Sequence, residues 1–218
     1  YHIFVLPGGF TYGDDIAAGK VLANQLRQQI LDELTQFVDD GKLIIGICNG
    51  FQVLMKMGLL PEVKGAQASL AGNKQRFTLT YNDSNKFEDR WVYLKSASNK
   101  SVFVDNDSFM YVPIAHAEGK FVAENREDIE KLDKSGQIVF KYVDKDGNIC
   151  NYPWNPNGSF GNIAGVCDST GRVLGMMPHP ERHVDPTQHP RWTREGLKAE
   201  GDGIAIFRNA VNYINKTF

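Results

Sequence analysis

The sequence predicts an α/β fold, a doubly wound and mainly parallel sheet carrying an added antiparallel β element, and three observations lead there. Two short apolar runs, residues 3–6 and 43–47, are each followed by a helical pattern, the strand-helix-strand-helix order of parallel sheets with right-handed crossovers. The middle of the chain sets strand-like segments between turn signals with no long helix among them, which reads as hairpins. The second apolar run ends in Gly46-Ile47-Cys48-Asn49-Gly50, the sequence form of a sharp strand-to-helix turn that lifts one reactive side chain clear of a sheet.

In chain order, Ile3 to Leu6 is a buried strand closed by Pro7-Gly8-Gly9. A loop holding Tyr12-Gly13-Asp14-Asp15 leads to a single helix predicted from Val21 to Asp40, where Leu22, Leu26, Ile30, Leu34 and Phe37 recur at helical spacing and Gly41 stops it. Leu43 to Ile47 is the second strand, and the helix after Cys48 ends near Gly58. Strands follow at Arg76–Tyr81, Arg90–Lys95, Tyr111–Ala115 and Ile138–Val143, with a short helix over Glu124–Lys134. Residues 147–165, rich in Asn, Pro and Gly, form a loop long enough to be functional. Ile163–Cys167 and Arg172–Met177 make a last hairpin, ending at Pro178-His179-Pro180-Glu181-Arg182, and Gly203–Ile214 is the closing helix.

The 218 residues suffice for one α/β domain over 1–218. A formal net charge of −2 gives no electrostatic reason to expect nucleic acid or an anionic membrane. No apolar run approaches the roughly 20 residues that span a bilayer. Cys48, Cys150 and Cys167 are too few and too scattered for a disulfide framework or a zinc site, so no metal and a reducing, cytoplasmic setting are expected. Tyr1 in place of an initiator methionine, directly before a strand, reads as a chain that has lost its N-terminal part.

The chemistry centres on Cys48. Glycines at 46 and 50 leave room for a tight reversal around a strained residue. A thiolate there meets the positive end of the following helix. A free thiol, with a pKa of about 8.5, still needs a base at neutral pH. His179 stands out among five histidines because it follows a strand and sits between two prolines. Glu181, two residues on in an extended segment, points to the same side and can orient the imidazole. Negative charge on an attacked carbonyl calls for backbone donors, which Asn49 and Gly9 can supply. His116, beside Glu118, is a second candidate base weighed against a structural strand-end role. Cys150 and Cys167 lack the glycine frame and read as structural, and His2, His183 and His189 as surface positions.

Together, Pro7-Gly8-Gly9-Phe10, Gly46-Ile47-Cys48-Asn49-Gly50-Phe51-Gln52 and His179-Pro180-Glu181 resemble the class I (triad) glutamine amidotransferases. The longer stretches PGGFTYG (7–13), CNGFQ (48–52), PIAHAEG (113–119), NPNGS (155–159) and MMPHPER (176–182) are similar to the branch serving phosphoribosylformylglycinamidine synthesis in de novo purine formation. The resemblance implies a flavodoxin-like sheet and a glutaminase in which Cys48 attacks the glutamine amide. His179 then serves as acid and base, Glu181 orients it, and Gly9, Phe10, Asn49 and Gln52 surround the substrate. It also implies a synthetase subunit, with a small accessory subunit beside it, that receives the ammonia. ATP and Mg would be bound by that partner, since this chain shows no phosphate-cradling glycine loop. Relative to the family, an N-terminal strand and helix are expected to be missing, leaving an apolar sheet edge. The stretch 188–194 is either a partner-facing loop or solvated packing. Two other functions compete: a stand-alone cysteine γ-glutamyl hydrolase of the same superfamily, and a catalytically inactive regulatory module.

Overall fold

In the computed structural model, which describes residues 1–61 and 75–218, β1 (Ile3–Leu6) and β2 (Leu43–Ile47) pair in parallel, and β2 pairs in parallel with β9 (Val173–Met176). Every residue of β2 is buried, as expected of a parallel strand covered on both faces. The sheet continues through β8 (Ile163–Cys167), β7 (Ile138–Val143), β4 (Glu88–Ser96) and β5 (Phe109–His116), giving seven strands in the order β1-β2-β9-β8-β7-β4-β5. All pairings beyond β9 are antiparallel. The fold is thus α/β with a parallel segment and an antiparallel addition. That addition is larger than the sequence suggested and is continuous with the parallel strands. A separate antiparallel pair joins β3 (Phe77–Thr80) to β6 (Lys120–Ala123), a four-residue strand too short for its pattern to be read. Within the described residues β1 is an edge strand, with Val5 about half exposed.

The single helix expected over 21–40 is two: α1 (Lys20–Gln29) and α2 (Leu31–Asp39), separated at Ile30, whose φ of −141° leaves the helical region. The break lets the apolar stripe follow two surfaces. Ala23 is buried on α1, while Leu31, Leu34 and Val38 are buried on α2. The helix α3 (Asn49–Met57) is buried at every position except Lys56 and ends at Gly58, in the left-handed conformation that a C-terminal glycine supplies. The helix α4 (Arg126–Lys134) is capped by Asn125, whose side chain accepts from the Asp128 N–H at 3.0 Å. A four-residue α5 (Trp192–Glu195) precedes the closing α6 (Ile204–Thr217).

Two of the histidines read as surface residues are not. His183 is fully buried, its Nδ1–H donating to the Tyr111 carbonyl at 2.7 Å, and His189 is 8% exposed. Both rings lie against Trp91, and His189 also against Tyr111. This aromatic shelf, built from the paired strands β4 and β5, turns part of the 188–194 stretch inward, with Arg191 over the Tyr111 ring. His2 is exposed, as expected. Among the described residues no helix is long and apolar enough to cross a membrane.

Candidate active site

The site forms where β2, β5 and β9 deliver their ends. Cys48 follows β2 with φ 51° and ψ −107°, a strained conformation for a residue with a Cβ. Its N–H extends the β2–β9 ladder to the Met176 carbonyl at 2.8 Å, and its carbonyl already accepts the first α3 bond, from Gln52, at 3.0 Å. One residue therefore belongs to both strand and helix, and the turn between them has no slack. A methyl on Gly50 would lie 1.9 Å from the Leu6 carbonyl oxygen, and one on Gly46 within 2.7 Å of Gly50 and Leu54. The two glycines are a packing necessity.

β9 runs into Pro178 and His179, whose N–H is held by the Pro113 carbonyl of β5 at 2.8 Å. His179 Nδ1–H donates to Glu181 Oε1 at 2.6 Å. The chain turns through a 3-10 segment, Pro180–Arg182, to achieve this, so the reach from 179 to 181 comes from a turn and not from an extended strand. With Nδ1–H committed to the carboxylate, Nε2 carries the lone pair, and it has no hydrogen-bond partner among the described residues. A methyl on Gly8 would stand 2.6 Å from His179 Cε1 and 3.4 Å from Cys48 Cβ, so thiol and imidazole share the space that this glycine leaves. The Cys48 sulfur itself lies 3.6 Å from the Ala115 carbonyl oxygen.

Burial outweighs the helix dipole at this sulfur: the thiol is pushed up to about 11, drawn back in part by the Asn49 N–H and then by the Arg182 cation. Burial thus favours the thiol over the thiolate, and a base that can take the proton is what this environment calls for. The Asn49 N–H faces the sulfur, and Gly9, at φ 144°, has open space around its Cα.

Residues 1–214 match the model of the CobB/CobQ-like glutamine amidotransferase domain. The chain belongs to that amidotransferase family. It is 46% identical to the phosphoribosylformylglycinamidine synthase subunit PurQ of Dehalococcoides mccartyi over 98% of this chain and 80% of that one. With the same-named subunit of Archaeoglobus fulgidus it shares 45%, over 99% and 79%. Among solved structures, that of PurLQS from Thermotoga maritima superposes with a TM-score of 0.70 at 34% identity, covering 98% of this chain and 80% of that one.

In this amidotransferase the structure brings Cys48, His179, Glu181 and Asn49 to one place, with the Gly8-Gly9 turn over them. Phe10 stands at the rim, largely exposed, its ring 6.2 Å from that of Phe87. Gln52 is buried, and both ends of its amide are engaged inside the protein: Nε2 donates to the Glu118 carbonyl at 2.7 Å and Oε1 accepts from Asn49 Nδ2 at 3.0 Å. His116 is buried on Gly119, its Nδ1 3.2 Å from Asn82 Oδ1. Burial, followed by the proximity of His179, lowers its pKa to about 3, so it is neutral at physiological pH and unsuited to accept a proton there. Glu118 does not pair with it. That carboxylate accepts the Ala18 N–H, 3.2 Å from each oxygen. The bonds of Thr11 to Asn49 and of Glu118 to Ala18 were not visible in the sequence, because they join residues 38 and 100 apart.

Proposed function

We propose that this chain is the glutaminase subunit of a phosphoribosylformylglycinamidine synthase. It hydrolyses L-glutamine and passes the ammonia to a synthetase subunit that makes formylglycinamidine ribonucleotide in de novo purine synthesis. The observation that carries this is the strained Cys48 elbow facing a Glu181-held His179, in a chain 46% identical to a PurQ subunit over 98% of its length.

Cys48 Sγ attacks the side-chain carbonyl carbon of glutamine as His179 Nε2 takes the thiol proton. The N–H groups of Asn49 and Gly9 receive the oxyanion, an arrangement in which each donor is worth about 10² to 10³ in rate. His179 returns the proton to the leaving nitrogen, ammonia departs, and a γ-glutamyl thioester remains. His179 then deprotonates water, which cleaves the thioester to glutamate and restores the thiol. Throughout, Glu181 fixes the ring and stabilises the imidazolium. Phe10 and Gln52 are assigned to the glutamine backbone groups. For Gln52, a direct contact requires exchanging one of its two internal bonds.

The partners are the synthetase and a small accessory subunit, by analogy with the PurLQS structure that this chain resembles. ATP and Mg belong to the synthetase in this reading, and this chain binds no cofactor of its own. A cytoplasmic setting agrees with three free cysteines.

The test is glutamate release from glutamine by wild type and Cys48→Ser, each with and without the synthetase and its nucleotides. Weak release that rises with the synthetase and vanishes in the serine variant is expected. Strong release indifferent to the synthetase would favour a stand-alone γ-glutamyl hydrolase, and none in any setting an inactive module.

A further inference from the structure

The loop that follows Gly9 is conformationally costly. Tyr12, Gly13, Asp14 and Ile16 have φ of 54°, 65°, 55° and 73°, and three of these four residues have a Cβ that disfavours the left-handed region. Such a run persists only where its surroundings hold it. Tyr12 Oη donates to Gln25 Oε1 at 2.6 Å on the outer side, and on the side of the site the restraint comes from Asn49. Asn49 Oδ1 accepts from Thr11 Oγ1 at 2.7 Å and from Thr11 N–H at 3.4 Å, while Asn49 Nδ2 donates to Asp14 Oδ1 at 3.2 Å and to Gln52 Oε1 at 3.0 Å. Both acceptor sites and both donors of this amide are in use, and the residue is 1% exposed. Its second neighbour is fixed in turn, since Gln52 Nε2 donates to the Glu118 carbonyl. The Glu118 carboxylate closes the far end of the same loop on the Ala18 N–H. At Gly19 the loop comes down on α3, where a Cβ would lie 3.1 Å from the Val53 nitrogen.

From this arrangement we infer that the Asn49 side chain is a positioning residue for the oxyanion site. Its backbone N–H supplies one donor beside Cys48. Its amide, through Thr11 and Asp14, sets the turn that presents the second donor, Gly9. One residue thereby ties the two halves of the charge-stabilising site to the nucleophile's own helix. The inference rests on the glutaminase reading above and adds to it a residue whose effect falls on the transition state. Glutamine in its ground state carries no oxyanion, so loosening the turn lowers kcat by a larger factor than any change it makes in KM, to which the neighbouring Phe10 and Gln52 contribute.

The experiment uses the chain assembled with its synthetase and measures kcat and KM for glutamine, with the rate at which chloroacetamide alkylates Cys48 as a control for an intact nucleophile. Thr11→Val removes the hydroxyl and keeps the shape. It is expected to lower kcat about tenfold, with KM and alkylation within about twofold of wild type, and Thr11→Ser is expected to restore kcat. Asn49→Ala is expected to lower kcat by about 10²-fold, the scale of one lost oxyanion donor. Because Asn49→Ala also leaves buried partners unpaired, the Thr11 pair decides the matter if that variant does not fold. Unchanged kcat in Thr11→Val, a rise in KM alone, or failure of Thr11→Ser to rescue would overturn the proposal. A wild type that releases no glutamate, or a Cys48→Ser variant as active as wild type, would instead remove the glutaminase reading, and this proposal with it.

Discussion

Two buried thiols end strands of the same sheet, and they differ in their company. Cys167 closes β8, is fully buried, and stays in regular strand pairing with Leu174. Cys48 follows β2, is 4% exposed, and breaks the backbone into a positive φ. Burial pushes both thiols up, Cys48 to about 11 and Cys167 to about 12 with Asp168 adding to it. What separates them is that Cys48 sits under the Gly8 turn with the lone pair of His179, while the charge that acts most on Cys167 is the Asp168 carboxylate. The difference between the two thiols therefore lies in the paired base and the strained turn beside Cys48, since burial pushes both thiols the same way.

The largest expected difference between these regions is in turnover. Cys48→Ser should lower synthetase-coupled glutamate release by about 10⁴-fold or more, as removal of a nucleophile does. Cys167→Ala should stay within about twofold of wild type, at a stability cost of about 1–2 kcal/mol for the small cavity. Comparable losses from both would erase the distinction.

Glu181→Gln comes next. The amide can still accept the Nδ1–H, but it offers no charge to the imidazolium, so kcat should fall about 10²-fold, within the range that general acid–base catalysis contributes. KM should hold. A loss confined to KM would move Glu181 from orienting the base to binding the substrate.

The smallest effect concerns alkaline stability, where the two thiols should behave alike. Both hold their protons in the folded chain above the ordinary value of 9.0. The stabilisation is complete below about pH 9 and is lost as pH rises toward 11 and 12, by up to about 1.4 kcal/mol per pH unit for each thiol. Urea unfolding should therefore show stability falling above pH 9, with a flatter slope in the Cys48→Ser, Cys167→Ala double variant. Tyr142, also raised by burial, adds to the decline at higher pH. An equal slope in the double variant would mean that the thiols are not buried as described.

Much of the Cys48 region was legible in the sequence because its signals are local. Two glycines four apart mark the elbow, and a histidine between prolines with a carboxylate two residues on marks the base. The elbow strand, its helix and the last hairpin are equally local patterns of period and turn. What stayed hidden depends on distance. The break at Ile30 lies inside an unbroken helical stripe. The short β6 finds its partner only when β3 folds against it. The buried His183 and His189 meet Trp91 and Tyr111 across about 70 to 100 residues. The same holds for Asn49: the sequence pointed to its backbone, while the side-chain clasp on Thr11 becomes visible only when the first loop lies over α3.

The central claim, that Cys48 alone among the thiols attacks the glutamine side chain, is tested most directly by labelling. A chloroketone analogue of glutamine is incubated with the wild-type assembly, and the modified cysteine is located by peptide mass mapping. Label is expected on Cys48, in step with loss of glutaminase activity and blocked by glutamine, with Cys150 and Cys167 unmodified. Label on Cys150 or Cys167 accompanying inactivation, or inactivation that leaves Cys48 free, would contradict it.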